Sequence, residues 1–215
     1  MKNILFIFLT FYTLGAFAQS SENDKKADYR EDLRFGVKAG FNVSNVYDTE
    51  GEAFVADSKA GLALGGFISI PLNKYIGFQP ELLLSQKGFT GNGKFLGTAY
   101  KFTRTTNHID VPLLLQFKPA RFLSILSGVQ YSYITSSVDE FKTEFGTVEN
   151  KSQFTNDDIQ KNLFGLMIGV DFHIGKYFLL SGRAAWDVMN NRGNGDTKTP
   201  RYKNQWVQLT AGISF

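Results

Sequence analysis

Imidazole is scarce in this 215-residue chain, with only two histidines, and thiol is missing altogether, with no cysteine. That excludes disulfides, thiolate metal sites and thiol nucleophiles. His108 precedes Asp110 by two residues, a spacing that puts both on one face of a strand, where the carboxylate can hydrogen-bond the ring. His173 belongs to a different segment. If both segments are strands, one histidine falls early and the other late. At about 3.3 Å per residue they then lie near opposite ends and cannot share one acid/base site. No serine has a nucleophile's setting beside either ring. The reading is therefore no catalytic residue, no cofactor-binding residue and no metal site. One motif needs separate rejection: Gly88, Gly93 and Lys94 match G-x-x-x-x-G-K. Phe95 stands where a hydroxyl would hold magnesium, and no helix follows to aim its N-terminus at a phosphate. That segment reads as a glycine-rich surface loop.

The remaining side chains able to do chemistry are charged and sit within alternating segments. In Asn204–Phe215, odd positions from 205 onward are largely apolar and even positions mostly small or polar. A period of two places one set of side chains on each face of a strand. The same alternation predicts strands at Leu33–Tyr47, about Lys59–Ile70, Tyr75–Gly88, Phe102–Lys118, Phe122–Ser136, Lys161–Ile174 and Tyr177–Met189, with the eighth ending at Phe215. Connections alternate in length. Pro71–Lys74, Pro119–Arg121 and the two-residue turn Gly175-Lys176 are short, while 48–58, 88–101, 139–159 and 190–203 are long and polar. The first and third long connections are net acidic and the second and fourth net basic, read here as ordinary solvated loops.

An even strand count, with short turns at one end, long loops at the other and apolar residues on one face of each strand, predicts an all-β, eight-stranded antiparallel up-and-down transmembrane barrel of outer-membrane type. Lys2, the apolar run Ile4–Leu14 and Ala16-Phe17-Ala18 predict a cleaved signal peptide at 1–18, leading to export to the outer membrane of a Gram-negative envelope. A flexible lead-in at 19–32 and the barrel domain at 33–215 complete the division. Aromatics gather at strand ends, as interfacial girdles do. Outer-membrane lipid is thus the first partner. The 23 basic and 20 acidic residues are too balanced for a nucleic-acid ligand. Pro80 and Pro112 fall inside strands, and a bulge or bent register is expected at each.

Parity sends Arg34, Lys38, Lys87 and Arg183 to the inner face together with Glu81, Asp110, Asp171 and Asp187. Eight-stranded barrels are just wide enough inside for side chains to fill. Four cations and four anions there should pair, because an isolated buried charge is costly. The expected result is a polar structural plug that leaves no route for solutes.

Several segments resemble the PorT-like outer-membrane β-barrel family of Bacteroidetes-type bacteria. They are Gly36–Asn42, Gln79–Gly88 with its internal Pro80, Ile109–Leu114 with Pro112, and Phe164–Gly169. The likeness runs over essentially the whole mature chain. It implies an eight-stranded barrel, and for its founding members a link to protein secretion of the type IX kind. The combined expectation is a non-enzymatic, monomeric barrel, a scaffold or accessory component of the cell envelope that meets envelope or secretion-machinery proteins, in secretion or surface attachment. A small-solute porin is the rival reading, and a barrel enzyme the third.

Overall fold

The computed structural model describes residues 28–47, 55–95, 98–143, 146–152, 160–191 and 202–215. The expected signal peptide, most of the lead-in and parts of the four long connections (48–54, 96–97, 144–145, 153–159 and 192–201) lie outside the described residues. Nine strands occur among those described: β1 (Arg34–Tyr47), β2 (Val55–Pro71), β3 (Ile76–Phe95), β4 (Thr98–Ala120), β5 (Leu123–Thr143), β6 (Gly146–Ser152), β7 (Asn162–Ile174), β8 (Phe178–Asp187) and β9 (Lys203–Ser214). They form one sheet in the order β4-β3-β2-β1-β9-β8-β7-β5-β6, and β4 also pairs with β5. Eight antiparallel staves therefore close on themselves. Closure satisfies each stave on both sides, the condition for carrying a backbone through hydrocarbon without an exposed edge.

Alternation decides which face meets lipid. On β1, Phe35, Val37 and Phe41 are exposed while Arg34, Lys38 and Asn42 are buried. On β9, Val207, Leu209 and Ile213 face out and Gln208, Thr210 and Ser214 face in. Leu62, Leu64, Leu82, Leu84, Leu115 and Ile168 continue the apolar exterior around the barrel. A rim of aromatics marks the short-turn end, where Phe35 and Tyr177 both pack on Phe215, with ring centroids 6.0 and 6.4 Å apart.

Four details differ from the sequence reading. First, the connection at 88–101 is no loop, because β3 and β4 stay paired out to Phe95↔Thr98. Second, β5 continues to Thr143 and is joined by the extra strand β6, which pairs only with its outer half. The polar composition that suggested loops is that of a sheet standing in water on both faces. Third, the turn between β7 and β8 holds three residues, with Ile174 opposite Phe178. Gly175 supplies its left-handed residue at φ 64°. Fourth, neither proline shifts the register. The β3–β4 ladder omits the pairs between Pro80↔Leu113 and Leu83↔Asp110 and resumes in step. Pro112 falls in that gap, and Pro80 in a second one, between Phe67↔Glu81 and Ile70↔Phe78 of the β2–β3 ladder, which also resumes in step. The true register shifts are at Asn107/His108 and Phe117/Ala120 against β5 and at Ser58/Ala63 against β3.

The Pro71–Lys74 turn is built by Asn73, whose Oδ1 accepts from the amides of Tyr75 at 2.8 Å and Ile76 at 2.9 Å. At the other end, β2, β3, β4, β5 and β6 extend together beyond the remaining staves. β3 to β5 have 20, 23 and 21 residues, against the ~9–11 a transmembrane strand needs. The surplus forms a five-stranded sheet that projects past the barrel wall.

Candidate functional site

The interior is the candidate site, and its middle is filled by side chains. Lys38 on β1 contacts Glu81 on β3 at 2.5 Å. Glu81 is shared with Arg183 on β8 at 3.4 Å, and Arg183 also contacts Asp171 on β7 at 2.5 Å. These four residues are buried, and the links draw four separate staves together across the lumen. Gly169 makes room for this: a Cβ there would collide with Arg183 Cδ and the Gly182 carbonyl. Neutral amides complete the network. Ser69 donates to Gln116 at 2.7 Å, Gln116 to Gln79 at 2.5 Å, and Gln79 to Glu81 at 2.7 Å.

A second cluster lies toward the long end. Lys87 Nζ is 3.1 Å from Asp110 and 3.7 Å from the centre of the Trp206 ring, a cation–π contact. Ser132 donates to Asp110 at 2.6 Å. Between the two clusters Leu114, Leu126, Met167, Ala185 and Trp206 pack together, so the lumen also holds an apolar layer.

Of the eight charged residues that parity sends inward, six are brought into ion pairs and two are not. Arg34 is the first residue of β1 and Asp187 the last of β8, at opposite ends of the barrel. Arg34 donates to the Lys176 carbonyl and, at 2.5 Å, to Ser214 Oγ. Asp187 accepts from Asn204 at 2.8 Å. Complete pairing fails because each group is held at the height its strand register dictates.

His108 lies buried beside Asp110 but engages Thr106 Oγ1 at 2.8 Å, while Asp110 is taken by Lys87 and Ser132. His173 is near the short-turn end, bonded to Ser124 Oγ at 3.0 Å. The sequence reading overlooked this serine because it belongs to another strand. The other ring nitrogen of His173 faces Arg34 Nη1 at 3.5 Å, a donor where a hydrolytic triad would carry a carboxylate. Lys118, buried at the same end, was also overlooked, although it shares parity with Asp110 and Gln116 on β4. Among the described residues no group of three or more His, Asp and Glu side chains is placed to hold a metal ion.

Both ends carry capping contacts, although the short-turn end keeps an open mouth beside Arg34 and Lys118. At the short-turn end Arg30 donates to the Lys118 carbonyl and Lys118 Nζ to the Arg30 carbonyl, at 3.3 and 3.0 Å. Arg30 is itself clamped by Asp28, and their hydrogen bond holds the Asp28 carboxyl well below the usual carboxylate range. At the long end Phe89 and Tyr202 meet edge-on at 5.2 Å and pack with Val46. Above them Arg104 grips Asp139 through two bonds of 2.8 and 2.7 Å, tying β4 to β5 in the projecting sheet.

Among solved structures the chain is similar to Ail, the attachment invasion locus protein of Yersinia pestis, with 14% identity, 85% of this chain and 99% of that one covered, and a TM-score of 0.47. OprG of Pseudomonas aeruginosa matches with 16% identity over 86% and 97% of the two chains, at 0.47. A major outer membrane protein of Thermus thermophilus matches with 14% identity over 86% and 100%, also at 0.47. No curated protein sequence matches the chain. A family model described as outer membrane protein beta-barrel domain matches residues 17–191. With a closed antiparallel barrel, an apolar belt and a polar interior, this is an outer-membrane protein, and the chain belongs to the outer membrane protein beta-barrel domain family.

Proposed function

We propose that this chain is a non-enzymatic, non-conducting barrel, a monomeric scaffold or accessory component of the cell envelope. In this reading the projecting sheet is the surface it presents to an envelope or secretion-machinery protein. Short turns of outer-membrane barrels lie in the periplasm, which would put Arg34 and Lys118 on that side and the β2–β6 sheet outside the cell. The observation that carries the reading is the plug. Glu81, Lys38, Arg183 and Asp171 cross-link the lumen in a buried network, with Leu114, Met167 and Trp206 packed beyond it and Phe89 and Tyr202 over the top. A solute would have to break several buried ion pairs to pass, each costly to separate. Against an enzyme stand the distance between the two histidines and the guanidinium facing His173. The PorT-like segments support placing the partner in protein secretion, and the projecting sheet equally suits surface attachment.

Planar-bilayer recording of the purified chain tests this reading. Insertion without stable unitary conductance steps is the expected result. Reproducible, sizeable steps would favour the porin.

A further inference from the structure

Two buried cations at the short-turn end have no acid in ion-pair contact among the described residues. Arg34 and Lys118 are 9% and 4% exposed, and among the described residues no carboxylate lies within ion-pair distance of either. Asp32 attracts both from beyond ion-pair distance, and Asp28 is committed to Arg30 and Lys74 at 2.7 and 3.5 Å. The two cations line a solvent-open cavity with Ser69, Ser124 and His173 in the wall and Tyr29, Arg30 and the exposed Arg121 at the lip.

Hydrogen-bond bookkeeping leaves donors facing this space. Arginine only donates, so His173 Nδ1 opposite Arg34 must accept and the ring proton sits on Nε2. That proton goes to Ser124 Oγ, which frees the serine's own hydrogen. Ser69 already donates to Gln116 and adds none. The wall thus offers a guanidinium, an ammonium and a hydroxyl. Two positive charges with no carboxylate in contact, offset only at a distance by Asp32, match an oxyanion of charge near −2 better than a single carboxylate does, and a phosphate carries roughly −1.5 to −2 at neutral pH.

We propose that this cavity binds a phosphate group entering from the barrel mouth, held by Arg34, Lys118 and Ser124. The groups converge on the lumen side of the wall, so a soluble phosphate-bearing molecule reaches them directly. A lipid headgroup would have to fold around the rim. Only the anionic head is enclosed, and the rest of the ligand stays in solvent at the lip beside Arg30 and Arg121.

The test is a titration of the purified full chain, folded in maltoside micelles in phosphate-free buffer. Inorganic phosphate is one arm and a short-chain phosphatidylglycerol the other, each followed by phosphorus NMR line broadening. Saturable binding of inorganic phosphate is expected. It should weaken about ten-fold or more in the R34Q/K118Q variant and persist in Lys118→Arg, which keeps the charge. Heat-dependent gel mobility checks that each variant is folded. If the double variant fails to fold, Lys118→Gln alone must weaken binding several-fold. Absence of saturation, unchanged affinity in the Gln variants, or saturation by the lipid alone would each overturn the proposal.

Discussion

Glu81 shows how one side chain can organise this interior. It accepts from Lys38 and Gln79 and sits 3.4 Å from Arg183, all out of contact with solvent. Removing it leaves two buried cations to share Asp171, so Glu81→Ala should cost about 3–5 kcal/mol, far more than a surface pair would. The urea midpoint for unfolding from phospholipid vesicles measures this, and a cost near zero would mean that water already screens the network. The inward placement of Glu81 was readable from parity alone. Its partners were not, because Lys38, Arg183 and Asp171 arrive from three other strands at heights set by pairing.

Each strand carries its instruction in a period of two, and that period puts Leu64 on the lipid face midway along β2, opposite Ala39 on β1 and Leu84 on β3. Leu64→Arg should therefore destabilise the folded barrel by about 2–4 kcal/mol, and the same change at Leu72, in the turn at the rim, by about 0–1 kcal/mol. The same vesicle-unfolding assay gives both numbers, and equal costs would contradict a belt of hydrocarbon around the middle of the staves. Strand ends were less legible. At Phe95 and Thr143 the chain remains paired although its composition is that of a loop, since a sheet in water on both faces needs no apolar alternation. The prolines were misleading in the opposite sense. Pro80 and Pro112 mark gaps in two neighbouring ladders without a shift of register, while the bulge at Asn107/His108 has no marker residue at all.

At the scale of the whole molecule the barrel is asymmetric. Connections at one end are tight, with Asn73 and Gly175 closing two of them, and at the other end five strands project. An epitope inserted between β5 and β6 should be reached by antibody on intact cells. The same epitope placed at Arg121–Phe122 should be reached only after the outer membrane is permeabilised. Labelling in the reverse order would invert the assignment of the two ends. By itself, the sequence determined the all-β class, the eight staves, the face each side chain takes and the outer-membrane setting. These follow from a local rule, because a strand's alternation is written in adjacent residues and lipid rewards it directly. Only the tertiary structure decided which buried charges meet, that Arg34 and Lys118 line one cavity with no acid in contact among the described residues, and that Ser124 reaches His173. Those outcomes depend on the relative heights of strands far apart in sequence, which closure of the sheet settles and no single segment encodes.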